Sequence, residues 1–160
     1  MANGGSNTVT RLRASDGAAV WTFNVGKFPI GLVFDGANIW VADGESNNLM
    51  KLRPSDGAVL GTFSVGMKPS MLAFDGTNIW VANENSNNVM KLRARDGALV
   101  GTFNVGTNPV GVVFDGTSIW VVNRDSNTVS KLRASDGSML GSFNVGRVPL
   151  CVAFDGLTSG

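Results

Sequence analysis

The sequence predicts an all-β repeat protein, and three observations carry that reading. Phe-Asp-Gly begins at Phe34, Phe74, Phe114 and Phe154, so the chain of 160 residues repeats every 40 without gaps. A fixed period of this size marks a stacked or radial repeat architecture. Within one period the apolar runs are short, rich in Val, Ile, Phe and Trp, and separated by Gly, Asp and Asn. No run follows the 3.6-residue spacing of a helix, so these runs read as strands.

The copy at 26–65 shows each element in turn. Strand A is predicted at about 29–34 (PIGLVF), strand B at 38–42 (NIWVA), strand C at 47–53 (NNLMKLR) and strand D at 58–65 (AVLGTFSV). FDG joins A to B and SDG joins C to D, and Asp-Gly suits a tight turn because Gly accepts positive φ without steric cost. Pro29, Pro69, Pro109 and Pro149 stand at strand starts, where a missing N–H does least harm.

Four antiparallel strands per period, repeated, make the blade of a β-propeller. Residues 26–65, 66–105 and 106–145 are complete blades of one repeat domain, and the fourth is split between 146–160 and 1–25. Strand A of the split blade falls at 148–154, and its strand B falls at Leu157–Gly160 together with Met1–Asn3. The pattern P-x-G-V-x-F-D-G-x-N-I-W-V-A-N, followed by S-N-x-V-x-K-L, resembles the repeats of YVTN-type and NHL-type propellers and of the streptogramin-lyase group. The resemblance spans the chain. It implies the propeller fold and leaves function open, because those groups include enzymes, binding modules and cell-surface proteins.

Composition removes several function classes. Net charge is +1 without a run of either sign, which argues against a nucleic-acid surface and an electrostatic membrane anchor. No apolar stretch reaches membrane-spanning length, and no signal peptide opens the chain, so the compartment is unknown. Cys151 is the one cysteine and histidine is absent. Histidine is the usual general base and the commonest metal ligand, so its absence removes Ser-His-Asp and Cys-His chemistry. The resemblance implies histidine-dependent proton transfer in the lyases, and no position here supplies it. No cofactor is indicated.

The A–B and C–D turns hardly vary between copies, whereas the D–A and B–C loops, which share the opposite rim, differ. Varied loops on a rigid scaffold are where binding usually lives. The candidate rim residues for a ligand or protein partner are Lys27, Phe28, Glu45, Lys68, Glu84, Arg124, Asp125 and Arg147. Asp43 also falls on this rim, and a mixed, solvated set of charges is the plainer reading of it. Trp40, Trp80 and Trp120 read as packing between blades, and Trp21 as half exposed on an outer strand. The Lys/Arg-Leu-Arg series on strand C reads as solvated and locally paired. Cys151 reads as a buried, inert thiol.

These readings point to a non-enzymatic propeller scaffold, or self-assembling repeat protein, with a binding rim. It could be a fragment, an amplified array or an engineered chain. The alternative is a lyase- or lactonase-like enzyme using rim carboxylates and a metal. The split blade predicts closure by pairing of the two termini. Four blades must meet at about 90° and eight at about 45°. The small side chains of strand D suit the shallower wedge. A homodimer closing one eight-bladed ring is therefore expected, with a single-chain four-bladed ring as the alternative.

Overall fold

A computed structural model describes residues 1–156. Its strands are β1 (Ala2–Asn3), β2 (Thr8–Leu12), β3 (Ala19–Asn24), β4 (Pro29–Phe34), β5 (Ile39–Asp43), β6 (Asn48–Leu52), β7 (Val59–Ser64), β8 (Pro69–Phe74), β9 (Asn78–Asn83), β10 (Asn88–Arg93), β11 (Leu99–Asn104), β12 (Pro109–Phe114), β13 (Ser118–Asn123), β14 (Thr128–Arg133) and β15 (Met139–Asn144). Each full period forms one antiparallel meander: β4–β7, β8–β11 and β12–β15, while β1–β3 form a three-stranded sheet. The expected all-β fold of four-stranded blades is therefore present in the three whole copies. Among the described residues no helix is long and apolar enough to cross a membrane.

The strand-A positions lie side by side. The backbone of β8 runs so close to Gly31 that a Cβ there would strike the Ser70 carbonyl. Glycine is required at this approach because any side chain would occupy the neighbouring backbone. Strand D carries a β-bulge opposite the Lys-Leu step of strand C in each full sheet: Lys51 faces Gly61, but Leu52 faces Val59, leaving Leu60 as the extra residue. The extra residue adds twist, which suits a fan of sheets.

The core lies between sheets. Trp40 packs with Leu72, Ile79, Val81, Leu92 and Ala94 of the next blade. Trp80 does the same with Val112, Ile119, Val121, Leu132 and Ala134. Val9, Val41 and Leu52 form the smaller core between the first sheet and the second. Trp40 and Trp80 thus pack between blades as expected; Trp120, on the last described sheet, is partly buried against Phe143 of its own sheet, and Trp21 is partly buried against Phe23.

Three expectations need correction. Residues 148–154 form no paired strand. The described part of the split blade's strand B, Ala2–Asn3, belongs to the sheet at the other end of the arc, and Leu157–Gly160 lie outside the described residues. Cys151 is exposed for the same reason: nothing described in this chain covers its segment. The lysines of strand C are not solvated. Lys51 and Lys91 are buried, and their ammonium groups donate to the Ala94 and Ala134 carbonyls of the next blade at 2.7 Å. Alternation along strand C puts Lys51 on the buried face with Leu49, opposite Trp40 in the ladder. The arginines of the series do pair locally, Arg13 with Asp16 and Arg53 with Asp56, both at 2.8 Å.

Candidate functional site

The rim is built by one local device repeated around the arc. An Asn in the B–C loop takes the left-handed conformation, at Asn7, Asn47, Asn87 and Asn127, with φ between 53° and 55°. Asn tolerates this region because its short polar side chain bonds locally. Each such Asn then reaches the next blade: Asn7 Oδ1 accepts the Phe28 N–H at 2.9 Å and Asn47 Oδ1 accepts the Lys68 N–H at 2.8 Å. The acceptor holds the D–A loop at a second positive φ, 53° at Phe28 and 54° at Lys68. The loop also bonds its own blade, with Gly44 N–H donating to the Phe28 carbonyl at 2.9 Å and Glu45 N–H to the Lys27 carbonyl at 3.1 Å. D–A and B–C loops therefore share one rim.

Between the second and third sheets these loops enclose an open recess of about 520 Å³, bounded by Phe28, Gly44, Glu45, Asn47, Met67, Lys68 and Asn85. Phe28 and Met67 are exposed, giving the recess two apolar walls. The Lys68 ammonium lies 2.7 Å from Glu84 Oε2, whose side chain is almost fully buried. That pairing neutralises the Lys68 charge at the recess edge. Glu45 is exposed on the opposite side.

The structure thus brings Phe28, Glu45 and Lys68 together, with Glu84 behind Lys68. It places Arg124, Asp125 and Arg147 elsewhere. Arg124 and Asp125 pair with each other at 3.1 Å on the fourth sheet, and Asp125 also accepts from Asn108 Nδ2 at 3.0 Å. Those two bonds, the Asn108 amide first and then Arg124, lower the Asp125 pKa. Lys27 is exposed beside Phe28 on the same D–A loop, its carbonyl accepting the Glu45 N–H, while Arg147 is exposed on the last D–A loop. Among the described residues no three carboxylate or cysteine groups converge as a metal cluster.

Asp43 is not a rim group, contrary to its place in the sequence pattern. It is fully buried at the end of β5, where the equivalent residues are Asn83 and Asn123. Neither carboxylate oxygen accepts a well-formed hydrogen bond. Burial raises its pKa to about 6, and the Gly26 backbone N–H offsets only part of that rise. The Asn pattern at the same register was the signal available in the sequence: this position holds an uncharged amide elsewhere.

The fixed-turn aspartates do turn chemistry, as expected, and something further. Asp35 Oδ1 accepts the Ala37 and Asn38 N–H groups, while Oδ2 accepts the Trp40 indole at 2.8 Å. The same carboxylate closes the turn and fixes the core tryptophan.

The sequence matches no protein-family model and no curated protein. Solved structures are similar in fold. A protein of unknown function from Desulfotomaculum acetoxidans superposes with TM-score 0.80 at 16% identity, over 94% of this chain and 54% of that one. A catalytically inactive histidine-to-alanine form of virginiamycin B lyase from Staphylococcus aureus, with quinupristin, gives 0.77 at 18% identity, over 92% of this chain and 53% of that one. A streptogramin B lyase gives 0.75 at 17% identity, over 89% and 49%. The chain therefore spans about half the length of these structures. It has the β-propeller fold found in streptogramin B lyase, as an arc of four sheets.

Proposed function

We propose that this chain is a non-enzymatic binding propeller whose ligand seats in the recess between Phe28 and Met67. The observation that carries this reading is the pairing of an apolar wall with one exposed carboxylate, Glu45, while the Lys68 charge is already met by Glu84. Such a recess suits a small aromatic ligand with an amine: the ring covers Phe28 and Met67, and the ammonium approaches Glu45. Apolar contact with a few convergent polar groups is the usual make-up of a small-molecule site.

The enzyme reading draws its support from enzymes among the fold neighbours, the lyases included. One of those lyases is inactivated by loss of a histidine, and this chain contains no histidine. Apart from Glu45, its rim carboxylates are engaged separately: Glu84 by Lys68, and Asp125 by Arg124 and Asn108.

Titration with tryptamine, followed by amide chemical shifts, tests the binding reading. Shifts clustered at 28, 45, 67 and 68, lost in Phe28→Ala and weakened in Glu45→Gln, are the expected result. Equal shifts with indole-3-acetate would remove the role of Glu45. Shifts scattered away from the recess, or none at millimolar ligand, would remove the site.

A further inference from the structure

We infer that the two ends of the arc are the halves of one interface, and that a second copy of this chain fills both. Two chains then close a ring of eight sheets. The observation behind this is that each internal junction between sheets repeats the same contacts, and each end keeps one half of them.

The first contact is a cation reaching forward. Arg11 donates to the Pro54 carbonyl at 3.2 Å, Lys51 to those of Ala94 and Arg95, and Lys91 to those of Ala134 and Ser135. Lys131 is next in the series. It sits 4.6 Å from the Trp120 ring centroid, and no carbonyl acceptor stands before it among the described residues. One period on, the matching carbonyls are those of Ala14 and Ser15, at the far end of the arc and exposed.

The second contact is a phenylalanine lying where a glycine of the next sheet has no side chain. Phe23 covers Gly57, Phe63 covers Gly97 and Phe103 covers Gly137. Phe143 is 48% exposed, and Gly17 has nothing within 4 Å of a Cβ position. The third is the leucine of strand C. Leu52, Leu92 and Leu132 are at most 1% exposed, yet Leu12 is 44% exposed.

The strands agree. The sheet β1–β3 lacks its innermost strand. Residues 148–154 begin as a strand A does: Val148 has φ 53° and its N–H donates to Asn127 Oδ1 at 2.8 Å. The Leu150 carbonyl then lies 3.4 Å from the Cβ position of Gly111, on the path Ser70 takes past Gly31. In the second sheet Pro29 faces Asp43 and Gly31 faces Ala42. The same register sets Pro149 against Asn3, and Cys151 against Ala2, of the second copy.

Curvature chooses a second copy over closure within one chain. The four sheets superpose on 53% and 54% of propellers roughly twice as long. Their arc thus matches about half a circle, with its ends turned away from each other. A two-fold axis brings both pairs of ends together at once.

The register supplies the test. Facing residues of an antiparallel pair have Cα atoms about 4.5–5.5 Å apart, within disulfide range. Ala2→Cys adds one thiol to Cys151, the single native cysteine. On oxidation, a covalent dimer is expected, and mass spectrometry should find a disulfide-linked peptide pair joining position 2 to Cys151. Ala2→Cys combined with Cys151→Ser gives no such pair. Light scattering of the unmodified chain is expected at twice the chain mass. Phe143→Ser should weaken association at least tenfold while leaving the β-sheet circular dichroism of the single chain. A bond between position 2 and Cys151 within one chain overturns the proposal in favour of a four-sheet ring. A folded monomer without the cross-link, or a ladder of higher oligomers, overturns it as well.

Discussion

Trp80 Nε1 donates to Asp75 Oδ2 at 2.8 Å, joining the core of one sheet-to-sheet junction to the turn between β8 and β9. The same bond recurs from Trp40 to Asp35 and from Trp120 to Asp115. Asp75 Oδ1 meanwhile accepts the Thr77 and Asn78 N–H groups. Asp75→Ala removes all of these acceptors at once and should lower stability by about 2–3 kcal/mol, the range for bonds to a charged group plus a stranded donor. Asp75→Asn keeps one carbonyl oxygen and should lose less. Urea midpoints of the two variants check the order.

These carboxylates also set the behaviour in acid. Burial pushes the Asp115 carboxyl up, but the Trp120 indole N–H, the Thr117 and Ser118 amides and the Thr117 hydroxyl together bring it down to about 2. A depressed native pKa contributes stability that is present above the unfolded value of 3.8 and is lost as pH falls towards about 2. Melting temperature measured from pH 5 to pH 2 should fall more steeply for the parent chain than for Asp115→Asn.

Asp43 has the opposite sign. Its native pKa of about 6 stands above the unfolded 3.8, so the native state holds the proton more tightly. Stability from this group is greatest below about pH 4 and declines as pH rises through about 6. Asp43→Asn should abolish that decline and stabilise the chain at pH 8 by up to about 2–3 kcal/mol, since one pKa unit corresponds to about 1.4 kcal/mol. Thermal melts at pH 4 and pH 8 decide it: an unchanged difference between the two would contradict the assignment.

Lys91 is 4% exposed and bonds two carbonyls of the following blade. Lys91→Met keeps the volume and strands both acceptors. A loss of about 1–3 kcal/mol is expected in chemical denaturation. A gain would mean that desolvation of the ammonium outweighs its bonds.

Gly76 has φ +94° in open space, so space is not its constraint and backbone conformation is. Gly76→Val should cost about 1 kcal/mol or more, because a β-branched residue is strained there. Gly76→Asn, which tolerates positive φ better, should cost less in the same denaturation series.

The repeat period, the strand order and the separation of the two rims were legible because turn residues and alternation are local signals. Pro29, Pro69 and Pro109 open strands as their missing N–H groups require. What escaped the sequence was set between blades. Lys51 looked solvated because its acceptors, Ala94 and Arg95, belong to the next blade. Asp43 looked like a rim acid because loop position says nothing of depth. Cys151 looked buried because small or soft apolar residues, Gly31, Met71 and Gly111, stand at its register; among the described residues no strand pairs with its own segment. The recess at Phe28 was legible in part. The variation of its loops was visible, but the positive φ that turns Phe28 and Lys68 into it comes from Asn7 and Asn47 of the preceding blades.

Every described side-chain bond between sheets, from Arg11 to Pro54 onwards, joins residues no more than 44 positions apart. Among the described residues no side-chain bond between sheets joins the two ends of the same chain. The chain therefore behaves as a one-dimensional array in which each unit couples only to its neighbours. Cooperativity is then finite in range. In a single chain the middle two sheets, supported on both sides, should exchange their amide hydrogens slowest, and opening should spread inward from the outer two.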